Sequence, residues 1–300
     1  MAVAEATSGR RAALGRARGG ERSARSLAFL LALWLCLFFA FAFLLVLLVT
    51  TLVEAVPHLD STLFTNYTSS FPQRAGARAA ILGSLWVVGG CAVLAVPLGV
   101  AAAIHLEEFA DRDRWYNRLV ELTIQNLAAV PAIIYGMLAL GFLAALGVGN
   151  KNIVIGGSIA LALLILPVII MATREALRAV PAEIRQGSLA LGATEWQTVW
   201  HQTLPAAVPG IATGTILALS RAIGEAAPLL LLGGLVFVTY DPNGILSGFT
   251  TLPIQIFNWV GLPQAEFRTV ASAAIIVLLG ILLAMNGLAI SIRNRFHHRW

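Results

Sequence analysis

The chain has 300 residues, of which 58% are hydrophobic and only 12% charged, with a formal net charge of +5. Soluble domains carry roughly 25% charged residues, so this composition excludes an ordinary soluble enzyme and marks an integral membrane protein whose length is consumed by spans of about 20 residues each. The basic surplus sits mainly at the ends of apolar runs, where it sets orientation in a bilayer, and this excludes a nucleic-acid-binding role for it.

Residues 1–26 hold Arg10, Arg11, Arg16, Arg18, Arg22 and Arg25 among Gly and Ala, and read as a disordered basic arm. The run 27–53 is far longer than the roughly 7–15 residues of a signal-peptide core, so it reads as a retained first span. Residues 54–78 have loop chemistry, with Pro57, Asn66 and Pro72. The second span, 79–104, is Gly-rich and contains Pro97, which membrane helices tolerate when neighbours satisfy the loosened backbone. Residues 105–118 are dense in charge, including Glu107, Glu108, Asp111, Arg112, Asp113 and Arg114, and are expected to lie in water.

The third span is expected over 119–146, with Pro131 and Gly136 inside it, and the fourth over 153–173. A polar segment, 174–210, follows. The fifth apolar run, 209–238, carries Arg221 and Glu225, and a Pro-rich loop over 239–268 leads to the sixth span, 269–292, and a basic tail, 293–300. The first and sixth spans have few polar side chains and are expected to face lipid; the second to fifth are rich in small residues that allow close backbone approach, and are expected to form the bundle core and a partner interface. Cys36 and Cys91 show no metal-ligand spacing and read as packed thiols. His105, His201, His297 and His298 likewise show no ligand pattern, so no metal is expected. The fold class is therefore all-α with six transmembrane helices.

Placing both termini in the cytoplasm puts Arg112, Arg114, Arg118, Arg174, Arg178, Arg185, Arg293, Arg295, Arg299 and the arm on that side, and leaves Arg74, Arg78, Lys151 and Arg268 outside. That asymmetry follows the positive-inside rule and puts the 174–210 segment in the cytoplasm. The segment patterns as short helices. Ile184, Leu189, Leu191, Trp196 and Val199 give it an apolar stripe with no soluble core of its own to join, so a partner surface is its natural burial site. Gly192 permits a sharp turn, and Pro205 and Pro209 are expected to break any continuation into the next span.

Arg221 and Glu225, four apart, are expected on one helix face, with Arg221 about twelve residues, or roughly 18 Å, into its span and so near mid-bilayer. A charge at a helix centre costs roughly 2.5–3.5 kcal/mol on insertion scales, which makes such a pair functional by default. A neutral pair that only stiffens the helix is the plainer alternative. The chain has no GxxxxGK[ST] phosphate cradle, so nucleotide hydrolysis is expected in a separate subunit.

The run Gly187-Ser188-Leu189-Ala190-Leu191-Gly192-Ala193, with Leu204-Pro205 after it, resembles the EAA loop of MetI-like ABC importer permeases. Gly192, Leu204 and Pro205 match its pattern, whereas Gln186, Gly187 and Ser188 replace Glu-Ala-Ala and Gln202 replaces Ile. The run Arg221-Ala222-Ile223-Gly224-Glu225-Ala226-Ala227-Pro228-Leu229-Leu230 is similar to the R-x-x-G-E-[TA]-A-P-L-L signature of the PstA-type permeases of phosphate importers. Val96-Pro97-Leu98-Gly99 and Asn126 to Gly136 are similar to the same family's core spans, so the resemblance covers about 79–292.

The resemblance implies a permease subunit, not an enzyme. It implies pairing with a PstC-like permease over a PstB-like ATPase dimer, which uses the ATP and Mg, and under a PstS-like phosphate-binding protein; this chain binds no cofactor itself. It implies ATPase coupling through Gly187, Ser188, Gly192, Ala193, Leu204 and Pro205, a substrate pathway at Arg221 and Glu225, and helix flexing at Gly224 and Pro228. Open alternatives are the PstC-type companion, a permease for another oxyanion, a membrane enzyme using Glu225 as acid or base, and an ATP-independent channel or transporter.

Overall fold

A computed structural model describes residues 24–111, 114–234 and 236–295, with side chains from 26 onward. The amino-terminal arm before 24, Arg112, Asp113 and the tail after 295 lie outside the described residues, and with them His297, His298 and Arg299. Helix α1, Ala24–Ala55, begins as a unit by itself up to Thr50. None of the apolar window that qualifies it as a span is buried. Its Phe and Leu side chains face outward all round, which suits a helix solvated by lipid.

The second unit runs from Thr51. A short helix α2, Ser61–Thr65, opens on Asp60, whose carboxylate accepts from the amides of Thr62 and Leu63. Helix α3, Arg78–Ile104, continues into one π-turn, His105–Phe109. Helices α4, Trp115–Leu127, and α5, Ala132–Ala145, follow, then α6, Val154–Arg178. Beyond them come α7, Ala182–Ala190, and α8, Glu195–Thr198, which passes through a π-turn, Val199–Thr203, into α9, Leu204–Ile223. The chain finishes with α10, Ala227–Leu231, α11, Leu252–Gly261, and α12, Glu266–Arg295.

Among the described residues five helices are long and apolar enough to cross a membrane, and the bent pair α4–α5, counted as one span, brings the number to six. Helix α6 is the centre, with 67% of its apolar window buried, against 6% for α12. Close approach comes from small residues. A Cβ built on Gly90 would lie 2.3 Å from the Ser158 hydroxyl, and one on Gly214 would lie 2.6 Å from the Ala172 Cβ. These glycines let α3 and α9 seat against α6 at backbone distance. The Ser158 hydroxyl donates to the Val87 carbonyl at 3.0 Å, an interhelical bond inside the core.

Three expectations are corrected. The run 119–146 is not one helix: α4 and α5 meet at 110°, because Pro131 has no amide to continue the ladder and itself stands at ψ 134°, outside the helical region. The break is pinned where the Tyr135 hydroxyl donates to the Leu127 carbonyl at 2.5 Å. Pro205 and Pro209 do not interrupt the chain, since Glu195–Ile223 is one continuous helix. The π-turn just before Pro205 uses i to i+5 bonding, with the Leu204 amide on the Val199 carbonyl, and the helix passes over the missing amide. The apolar run 209–238 is not helical throughout, because the helix stops at Ile223.

The loops sort to two ends of this bundle. At one, Arg78 donates to both Asp241 oxygens, at 3.1 and 2.5 Å, and the carbonyls of Ser247 and Ile245 accept the amides of Val154 and Ile155, which have no acceptor inside α6. At the other, the charged connection after α3 meets the end of α6 and helix α7.

Candidate functional site: a broken helix with a loose ion pair and a capped coupling segment

Arg221 lies two residues before the end of α9, and Gly224 is the C-cap, with φ −80°. Glu225 is already outside the helix, its amide bonded to the Ala222 carbonyl at 3.2 Å. The expected shared helix face is thus replaced by a helix end, with Arg221 near the terminus of a helix that starts at Glu195. The two side chains still meet, with Arg221 Nε 3.6 Å from Glu225 Oε1. At that separation the pair is ionic contact without a good hydrogen bond. The Arg221 side chain is 54% exposed and Glu225 24%. Arg221 therefore keeps guanidinium donors available to a third group. Leu217, one turn earlier, is also exposed.

Pro228 is the second residue of α10, where its missing amide leaves no bond unmade. A Cβ on Gly136 would fall 2.4 Å from the Pro228 carbonyl oxygen, so α5 and the chain after Glu225 touch backbone to backbone. Gly224 and Pro228 bracket the interruption; Gly224 is exposed, and Pro228 is buried in the joint with α5.

The coupling segment is built from helix-end chemistry. Gly192 has φ +85°, a left-handed conformation that favours glycine. The Ala193 amide bonds the Ser188 carbonyl at 3.3 Å and the Gly192 amide bonds that of Leu189 at 2.9 Å, the paired pattern that ends a helix at glycine. Two residues on, Thr194 and Gln197 exchange side-chain-to-amide bonds of 3.2 and 3.0 Å, a capping box that starts the next helix. The Ser188 and Thr198 hydroxyls, 2.8 Å apart, staple the two helices. Gly187 is exposed, Ala193 and Leu204 are half-buried, and Pro205 is exposed on the continuous helix. Leu191 is 91% exposed, and Trp196 and Trp200, with ring centroids 5.4 Å apart, are also exposed.

One cluster escaped the sequence reading. Glu107, expected in water, has a side chain only 2% exposed. Its oxygens take Arg174 Nε at 3.1 Å and Arg178 Nε at 2.9 Å, and Arg174 also reaches Glu121 at 3.0 Å. Arg174 and Arg178 on one side and the carboxylates opposite were visible in the sequence as charge runs, but only the fold brings the two runs together. Among the described residues no group of three or more His, Cys, Asp or Glu could hold a metal ion.

A multi-helix body with interrupted helices, a loose ion pair at one interruption and an exposed apolar patch on a capped two-helix segment defines a membrane permease component driven from outside its own chain. Residues 95–296 match the family model for the binding-protein-dependent transport system inner membrane component, and the chain belongs to that family. It is similar to the phosphate transport system permease protein PstA of Haemophilus influenzae, 29% identical with 89% of this chain and 88% of that one covered. It is also similar to the probable ABC transporter permease protein YqgI of Bacillus subtilis, 30% identical with 76% and 81% covered. Among solved structures, the chain in a bacterial alginate ABC transporter aligns with a TM-score of 0.63 at 18% identity, over 92% of this chain and 98% of that one, which shows the shared fold. The protein is a permease subunit of an ABC importer, a multi-pass inner-membrane component, and ATP hydrolysis lies in a separate subunit.

Proposed function

We propose that this permease moves inorganic phosphate into the cell. The observation that carries the reading is Arg221: a half-exposed guanidinium at a helix interruption, held 3.6 Å from Glu225 without a tight bond, in a chain similar to phosphate permeases. A guanidinium offers a planar fork of donors that matches an oxyanion. Glu225 orients the fork and keeps the empty site near neutral, so that an anion binds and still leaves. The pathway then runs between this chain and a PstC-like companion permease. The positive-inside balance supports cytoplasmic termini, with the α7–α8 segment on the cytoplasmic face. There Leu191, Trp196 and Trp200 would dock a PstB-like ATPase dimer, while a PstS-like binding protein delivers phosphate from outside.

Reconstitution of the complex in proteoliposomes with MgATP inside the compartment that represents the cytoplasm tests this reading. Uptake of radiolabelled phosphate that stops with vanadate and falls by about tenfold or more with Arg221→Ala, in complexes that still assemble, is expected. Uptake of sulfate but not phosphate would reassign the substrate, and full phosphate uptake by Arg221→Ala would remove Arg221 from the pathway.

A further inference from the structure

The π-turn at the end of α3 places three consecutive side chains on three successive elements. Glu107 takes Arg174 and Arg178 near the end of α6. Glu108 takes Arg185 of α7 with two bonds, of 2.7 and 3.2 Å, and the same guanidinium donates to the carbonyls of Leu177 and Val180 at 2.8 and 3.1 Å. Phe109 meets Trp196 of α8 with the rings tilted by 34° and their centroids 5.9 Å apart. A regular α-turn directs neighbouring residues about 100° apart and carries no such bundle of grips; single π-turns within helices occur often at functional positions.

We infer that Glu107, Glu108 and Phe109 form a three-pronged grip that fastens the coupling segment to α3, so that displacement of α7 and α8 reaches α3 as one movement, with Glu108 and Arg185 as positioning residues. The Arg185 guanidinium is well placed for this. It caps the carbonyls at the end of α6 while held by Glu108, and so joins α3, α6 and α7 through one side chain. Bidentate pairing fixes orientation as well as distance, which a single contact would not do. The inference rests on the reading that the ATPase docks on α7 and α8, and is independent of the cargo.

The test uses the full complex with its companion permease and ATPase in proteoliposomes. Leu217→Cys, exposed on α9, and Val93→Cys, exposed on α3, report movement through their rates of modification by an impermeant maleimide, with and without MgATP plus vanadate. In the parent complex the nucleotide should change both rates. No change at Leu217→Cys, which α8 reaches through the continuous helix, would overturn the docking reading itself, and a change there with none at Val93→Cys would overturn the grip. Given both changes, Glu108→Arg and Arg185→Glu should each shrink the response at Val93→Cys by about fivefold or more while ATP hydrolysis continues, as expected for a lost coupling of 1 kcal/mol or more. The double swap, Glu108→Arg with Arg185→Glu, should restore most of it. A full response in either single variant, or no recovery in the swap, would overturn the grip. If a charge reversal prevents assembly, Glu108→Gln, which keeps the side-chain shape, and Arg185→Gln, which removes the guanidinium without reversing charge, provide the same comparison: an undiminished response overturns the grip and a diminished one supports it.

Discussion

Two sets of charges in this permease are treated in opposite ways. Around Glu107 the carboxylate is nearly sealed from solvent and both oxygens are hydrogen-bonded to arginines. At the end of α9 the Arg221 and Glu225 side chains touch only loosely, and more than half of the Arg221 side chain is open. Burying an ion is tolerated only when its bonds are complete, and a completed cluster is a fixed structural element. An incomplete pair within an apolar body is stabilised less and can exchange partners. The contrast separates a set of charges that holds helices together from one whose cation is left open to a third group.

The sharpest break of that contrast is Glu107→Ala. It removes the carboxylate shared by buried Arg174, which keeps Glu121, and Arg178, which keeps Glu175, and should lower stability by about 3 kcal/mol, the lower end of the loss when one partner of a buried pair is removed; thermal unfolding of the detergent-solubilised complex reads it. A change below about 1 kcal/mol would place this cluster with ordinary surface pairs. Arg221→Ala should leave the melting temperature nearly unchanged and cut phosphate uptake roughly 10- to 100-fold, the scale of one lost hydrogen bond to a charged group. Equal loss of stability in both variants would erase the distinction.

Smaller effects sharpen it. Gly136→Val forces a side chain onto the Pro228 carbonyl and should cost about 1–3 kcal/mol as overpacking, visible as a lower melting temperature together with slower uptake, because the joint after Glu225 is displaced. Gly192→Val meets no steric neighbour, yet φ +85° should cost about 1–2 kcal/mol locally and leave ATP hydrolysis uncoupled from transport. An ATPase still fully stimulated by substrate would show that the cap is dispensable. At the far end, the hydrogen bond from the Thr62 hydroxyl holds the Asp60 carboxyl below its usual range. A depressed folded pKa means the cap is intact above the unfolded value and is lost as pH falls through the folded one. Protection of the Thr62 and Leu63 amides, measured against the intrinsic exchange rate at each pH, should therefore fall only in acid, and in Asp60→Ala at every pH.

Much of the architecture was legible because lipid leaves a strong imprint. Apolar runs marked the first, second, fourth and sixth spans to within a few residues, and small residues in the inner spans foretold their close packing. Proline was the misleading signal, and in both directions. Pro131 bends the chain by 110° within a run that reads as one span, whereas Pro205 and Pro209 leave a helix uninterrupted because a π-turn absorbs the first of them. The consequence of a missing amide depends on neighbours that no local pattern contains. Arg221 and Glu225 stood out as charges in an apolar run, but their geometry followed from where the helix stopped, at Gly224. The Glu107 cluster was hidden for a different reason: its members lie more than sixty residues apart, in two charge runs that each look solvated alone.

The uninterrupted helix from Glu195 to Ile223 has one more implication. Trp196 and Arg221 stand on a single stiff lever, separated by roughly 38 Å at 1.5 Å per residue. A tilt of about 10° pivoting near the tryptophan would swing the guanidinium by some 6–7 Å, about the diameter of a small hydrated anion, with no hinge needed anywhere between. Cargo gating and fuel consumption would then be two ends of one rod, and stiffness, more than flexibility, would be the property that selection has to protect.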